Sequence, residues 1–243
     1  MSDRSFGPTV VDLGQMGYAD ALAIQHARQD RLIAARGDPS GAVGVIYLVE
    51  HPPIITVTRR PDAAAHVLAS ADRLAALGVQ RHETDRGGDV TYHGPGQIVA
   101  YPILDLQRLE NPANGRPLGL HGYMRLLEQA AIDTLAEYNI IGERDPRATG
   151  VWVTPRADAP PAKIAAMGVR VRKWVTTNGL ALNVAPDLSH FGLIVPCGLA
   201  GSPVTSMRAI LGEACPGVDA VRATLADRLA ALLAERAAER PAR

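Results

Sequence analysis

Residues 86–104 read RGGDVTYHGPGQIVAYPIL. The second half, QIVAYPIL, reads as a strand. The first half places four glycines and a proline around the short segment VTY. Adjacent glycines reach positive φ and let a ligand or another chain approach backbone N–H groups where a Cβ would intrude. A pair of tight turns around a short strand and a backbone-lined binding surface both fit this pattern. Neither GxxxxGK[ST] nor GxGxxG occurs in the chain, so the glycines do not form a phosphate loop of either type.

Reading outward toward the N-terminus, IITVT (54–58) and GVIYLVE (44–50) are further strands, separated by the breaker His51-Pro52-Pro53. Ser70 is placed to cap a short helix through Leu74 and Leu77 that stops at Gly78. YADALAIQHARQDRLIAARG (18–37) reads as a helix closed by Gly37-Asp38-Pro39. Toward the C-terminus, residues 121–140 set Met124, Leu127, Ala131, Leu135 and Tyr138 at helical spacing. GVWV, KIAAMGVRVRKW and VTTNGLALNV follow as strands, and the loop TPRADAPPA (154–162) is turn-rich. A last helix aligns Val218, Val221, Leu225, Leu229 and Leu232, and the tail from 236 to 243 is expected to fray. The outline is an α/β (α+β) domain, a mixed sheet flanked by helices, spanning residues 1–243 as one unit.

Composition narrows the function. The 243 residues are 47% hydrophobic and 21% charged, with a formal net charge of +0, which lacks the basic footprint of a nucleic-acid binder. No apolar run is long enough to cross a bilayer and MSDRSFGPTV is not a signal sequence, so a cytoplasmic location is expected. The two cysteines and seven histidines show no metal-ligand spacing, so neither a metal nor a cofactor is expected. Near-balanced charge is silent on assembly, and a monomer is the default.

Two single residues stand out. Cys197, in IVPCGLAGSPVTS, sits between Pro196 and Gly198, where a turn rather than core packing is expected. Ser202-Pro203 reads as an N-cap and first helical residue, which would bring a positive helix end near the thiol and favour the thiolate. Lone cysteines are more often small buried hydrophobes. Cys215, in GEACPG, reads as a loop or helix-end residue. Of 25 basic residues only Lys163 and Lys173 are lysine. Lys163 precedes small residues in AKIAAMG, where an amine beside a thiolate could stabilise it and pass protons; a solvent-facing lysine at a strand entry is the alternative.

Together these stretches resemble the lipoyl(octanoyl) transferase family, octanoyl-[acyl-carrier-protein]:protein N-octanoyltransferases related to biotin and lipoate protein ligases. The likeness runs from HPPIIT to the VTS after Cys197. It rests on RGGDVTYHGPGQIVAYPILDL, then GVWV, KIAAMGVRVR, GLALNV and PCG in order. The resemblance implies a biotin/lipoate protein ligase-like fold and an acyl-cysteine intermediate on Cys197, with Lys163 lowering its pKa. It also implies that the substrate site is lined by Arg86, Gly87, Gly88, Asp89, Val90, Thr91, Tyr92 and His93, with Ala166, Met167, Gly168, Gly179, Leu180 and Ala181. The implied donor is octanoyl-acyl carrier protein. The implied acceptors are lipoyl domains of 2-oxoacid dehydrogenase E2 subunits and the glycine cleavage H protein.

Two departures from the family pattern are present. Thr56-Val57-Thr58-Arg59 stands where the family usually has a TxG turn, and Asn178 stands where a histidine commonly precedes GLALN. Asparagine hydrogen-bonds but does not titrate, so a positioning role is expected there. The competing readings are an ATP-dependent lipoate or biotin ligase, a cysteine thioesterase, and a non-catalytic acyl- or carrier-binding module. ATP dependence, water as acyl acceptor, and absence of an acyl-enzyme would respectively favour them.

Overall fold

A computed structural model describes residues 7–37, 43–146, 148–156, 158–195 and 203–237. Cys197 and Ser202 lie outside the described residues, as do Asp38 and Pro39. Along the chain run β1 (Thr9–Gln15), α1 (Tyr18–Ala34), β2 (Gly44–Glu50), β3 (Ile54–Thr58), α2 (Ala71–Ala76), β4 (Gln80–Thr84) and β5 (Thr91–His93). Then come β6 (Gln97–Leu104), β7 (Glu110–Asn111), β8 (Arg116–Pro117), α3 (Leu120–Ala136), β9 (Glu143–Asp145), β10 (Ala148–Val153) and β11 (Ala162–Arg172). The series ends with β12 (Val175–Asn183), α4 (Met207–Leu211) and α5 (Val218–Ala234).

QIVAYPIL is β6, buried along its whole length. It lies inside a seven-stranded sheet of order β1-β2-β6-β12-β11-β10-β9, in which only β1 and β2 pair in parallel. Both faces are covered, which is why the inner strands read as continuous apolar runs instead of alternating ones. On one face, α3 and α5 bury the stripe Leu127, Ala131 and Leu135 against Val221, Leu225 and Leu229. On the other, α1 packs on Val45, Val49, Val99 and Ala181. The stripe of α1 also contains two buried polar residues: Gln29 Nε2 donates to Val175 O at 2.8 Å, and Gln25 Oε1 accepts from Asn178 N–H at 2.8 Å.

A second sheet, β4-β3-β5, is built on β3 and carries the glycine-rich stretch. Its core of Ile55, Val57 and Tyr92 packs on Leu74 of α2 and on Phe191 and Leu193. Ser70 caps α2 by accepting from Arg73 N–H at 3.2 Å.

Three sequence expectations are corrected. Lys173 and Trp174 do not extend β11; both have positive φ, 49° and 65°, and form the two-residue turn into β12. Such a turn matches the twist of the paired strands. No helix starts at Pro203. The segment is instead extended beside β11, because Pro203 O accepts from Lys163 N–H (2.8 Å) and Thr205 N–H donates to Lys163 O (3.0 Å). The helix starts at Met207, capped by Ser206, whose Oγ accepts from Ala209 N–H. Finally, Arg236 and Ala237 are tied down, with Glu110 N–H donating to Arg236 O at 2.7 Å and Ala237 bridging to Leu109. Residues 238–243 are outside the described set.

Candidate active site

The loop between β4 and β5 meets β11, and a cleft opens between the glycine-rich stretch and the main sheet. One wall is Arg86, Gly88, Val90, Thr91 and His93, and the facing wall is Ala166, Met167, Gly168 and Gly179 to Ala181. Val99, Tyr101 and Asn178 complete it. It encloses about 470 Å³, part of it open to solvent, and it is narrow. Most of the exposed lining is apolar.

The glycine-rich wall docks directly on β11. Gly87 N–H donates to Val169 O at 2.9 Å, and a Cβ on Gly168 would lie 3.0 Å from Gly87 O. Glycine at 168 therefore lets the two backbones touch. Thr56 and Thr58 of β3 serve the same wall. Arg86 Nη2 donates to Thr56 Oγ1 at 2.9 Å and to Thr56 O at 3.3 Å, while Thr58 Oγ1 donates to Gly88 O at 3.3 Å. Of the residues inferred from the sequence for this site, Gly87, Asp89 and Tyr92 stand behind the wall. Asp89 lies 2.6 Å from His66, and Tyr92 points opposite to its strand neighbours, its hydroxyl 2.8 Å from His190 Nδ1. Burial first, then Asp187, pushes the Tyr92 phenol up to about 12.

His93 is held in one tautomer by a chain of amides. Thr205 O can only accept, so it fixes Asn183 with Nδ2 toward it (3.0 Å) and Oδ1 toward Gln97. Gln97 Nε2 then donates to Asn183 Oδ1 (2.9 Å) and to Tyr92 O (3.3 Å), leaving Gln97 Oε1 to accept from His93 Nδ1–H at 2.6 Å. The proton sits on Nδ1 and Nε2 is the basic atom. Burial chiefly, with smaller contributions from His51 and Arg86, lowers the His93 pKa to about 3, so the ring is neutral near neutral pH.

Behind this lies a second layer that sequence reasoning missed. His51 Nδ1 donates to Met16 O (2.7 Å), which makes Nε2 the acceptor for the Tyr101 hydroxyl (2.8 Å). Burial lowers the His51 pKa and raises that of Tyr101 well above its usual value. Asn178 joins this layer. Thr176 and Leu180 face the α3 side, whereas Asn178, between them, has φ 59° and meets the Tyr18 hydroxyl of α1 at 3.3 Å through Oδ1. Its Nδ2 is buried with no partner among the described residues, in a residue that lines the cleft. Asparagine tolerates this left-handed backbone better than most residues.

Lys163 is 9% exposed. Its register explains its direction: pairing with β10 shifts between Val151 and Trp152, and both Ile164 and Ala165 enter the α3–α5 core. That extra residue is a β-bulge, and it sends Lys163 to the same face as Ala166. The ammonium donates to Thr149 O at 3.0 Å and stands 4.8 Å from the centre of the Trp152 ring, a cation–π distance. Its backbone is the one that holds Pro203–Thr205, the segment following Cys197. Cys215, in contrast, is a partly buried residue at the end of a short 3₁₀ turn, packed on the main core. Among the described residues no group of three or more His, Cys, Asp or Glu could hold a metal, and no helix is long and apolar enough to cross a membrane.

The profile of the lipoyl protein ligase A/B catalytic domain matches residues 18–230. The chain belongs to that family. Within its curated relatives it is 44% identical over 199 residues to an octanoyltransferase of Acidobacterium capsulatum, covering 82% of this chain and 78% of that one. It is 46% identical over 230 residues to an octanoyltransferase of Chloroflexus aurantiacus, covering 93% and 92%. The family's fold is visible in solved structures despite low identity. The bi-partite lipoate protein ligase of Thermoplasma acidophilum superposes with a TM-score of 0.67 at 15% identity, over 93% of this chain and 84% of that one. Biotin protein ligase from Aquifex aeolicus gives 0.53 at 13%, over 94% and 72%. The fold is thus that of the biotin/lipoate protein ligases.

Proposed function

We propose that this protein transfers an octanoyl group from octanoyl-acyl carrier protein to the ε-amine of a lysine on a lipoyl domain, through a thioester on Cys197. The acceptors would be lipoyl domains of 2-oxoacid dehydrogenase E2 subunits and the glycine cleavage H protein. The observation that carries the reading is the 46% identity to a protein named octanoyltransferase over nearly the whole of both chains. A narrow, mainly apolar cleft suits a linear acyl chain, each methylene of which contributes about 0.8 kcal/mol when buried.

In the first half-reaction the Cys197 thiolate attacks the donor thioester carbonyl, a C–S bond forms, and the carrier's thiolate leaves and takes up a proton. In the second, the acceptor amine attacks the enzyme thioester, a C–N bond forms, the Cys197 thiolate leaves, and the amine loses a proton. Lys163, in its sheltered setting beside the segment that follows Cys197, is our acid–base partner for both steps. Arg86, Gly88, Val90, Thr91, His93, Ala166, Met167, Gly168, Gly179, Leu180 and Ala181 would contact the acyl group or its carbonyl. Gly87, Asp89 and Tyr92 would support that wall from behind.

Purified protein incubated with octanoyl-carrier protein and a lipoyl domain tests this directly. The expected product is octanoylated lipoyl domain without added ATP. Free octanoate with an unmodified lipoyl domain would instead mark a thioesterase, and strict dependence on ATP with free octanoate as donor would mark a ligase.

A further inference from the structure

Glu128, on α3, is a carboxylate buried to 1% exposure yet far along the chain from the cleft residues. Its Oε2 accepts from Arg125 Nη1 at 2.7 Å and from Arg144 Nε at 3.1 Å. Those arginines are 41% and 35% exposed, and an ion pair of that kind forms as well at the surface, without desolvating the carboxylate. The pair therefore does not explain the burial.

Its other oxygen does. Oε1 accepts from Gly150 N–H at 3.2 Å. That N–H belongs to the same peptide unit as the Thr149 carbonyl, which accepts from Lys163 Nζ at 3.0 Å. In a trans peptide the N–H and C=O point in opposite directions. One peptide plane thus has a buried carboxylate at its donor end and the lysine ammonium at its acceptor end. The plane also packs on the lysine stem: Gly150 has φ 136°, and a Cβ there would lie 2.8 Å from Ala165 O and 3.1 Å from Lys163 Cε.

We propose that Glu128 is a positioning residue for Lys163, acting through the Thr149–Gly150 peptide. It fixes the tilt of that plane, the plane fixes the carbonyl, and the carbonyl fixes Nζ. Its bearing on turnover rests on the role given to Lys163 above; its bearing on the lysine's position does not.

Because the chain has two lysines, protein labelled with 13C at lysine Cε shows two side-chain signals, assigned by Lys173→Arg. In Glu128→Leu the Lys163 signal should move or broaden while that of Lys173 stays. The kcat of octanoyl transfer should fall at least about tenfold with KM for the carrier protein unchanged, the size expected for a misplaced group. Glu128→Asp, which retains the charge but withdraws the oxygen from Gly150, should do the same in milder form and serves if the leucine variant does not fold. Arg144→Gln, which weakens the ion pair and spares the peptide contact, should leave the Lys163 signal and kcat as in wild type. An unmoved Lys163 signal in Glu128→Leu or Glu128→Asp overturns the proposal, as does an Arg144→Gln variant that displaces it. Wild-type transfer by Lys163→Ala would instead remove the catalytic role of the lysine and leave the signal test intact.

Discussion

Asn178 combines two properties that substitution can separate. Its backbone is left-handed, and its Nδ2 is a buried donor beside the cleft with no partner among the described residues. Asn178→Gly relaxes the backbone and deletes the donor, so it should keep its thermal stability but transfer octanoyl about tenfold more slowly. Asn178→Leu should lose the donor and also about 1–2 kcal/mol of stability from the left-handed backbone, read as a lower Tm. Asn178→His should fold and stay active. A fully active leucine variant would show that the amide touches nothing that matters. Lys163 is separable in the same way. A guanidinium carries the charge but does not deprotonate in a protein. Lys163→Arg should therefore retain alkylation of Cys197 while octanoyl transfer falls at least about a hundredfold, the lower end of what general acid–base help contributes. Lys173→Arg, at an exposed turn, should match wild type in both assays.

At the scale of elements, the strands were readable and their junctions were not. QIVAYPIL is buried throughout, and its nearly continuous apolar sequence sufficed to place β6; VTTNGLALN is buried throughout as well, although it carries Thr176, Thr177 and Asn178. The bulge at Ile164, which turns Lys163 toward the cleft face, depends on how β10 pairs with β11 and leaves no mark on β11 alone. Ser202-Pro203 carried a sound local signal for a helix start. That signal lost because the Lys163 backbone takes the hydrogen-bonding groups of Pro203 and Thr205. Tyr101 and Val99 went unassigned because they look like ordinary strand residues; only the packing of the glycine-rich stretch over the main sheet brings them to the cleft. The residues that were assigned there came from the family resemblance, carried by RGGDVTYHGPGQ, KIAAMG and GLALNV. The contact between the glycine-rich stretch and β11 gives a test. In Gly168→Ala the new Cβ would press on Gly87 O, a backbone atom, and displace the Arg86 wall. The expected result is a higher KM for the octanoyl donor, checked by steady-state kinetics; unchanged KM and kcat would mean that the wall does not contact the acyl group.

Over the whole molecule, burying neutral imidazoles at the join of the sheets makes stability depend on pH. His93 titrates near 3 when folded and near its ordinary 6.5 when unfolded, and the His51 pKa is lowered as well. Below about pH 6.5 the unfolded chain binds protons that the folded chain does not, so stability falls with pH until about 3. Denaturant unfolding between about pH 4 and 6 should show a slope reduced in His93→Gln by up to about 1.4 kcal/mol per pH unit. An unchanged slope would mean that His93 is protonated in the folded protein. The proposed mechanism holds an acyl group on Cys197 during turnover. Intact-mass analysis after incubation with octanoyl-acyl carrier protein alone tests that most directly. Wild type and Cys215→Ala should each gain one octanoyl group and lose it when a lipoyl domain is added, while Cys197→Ala should gain none. Normal transfer to a lipoyl domain by Cys197→Ala, with no acylated enzyme at any time, would contradict the mechanism.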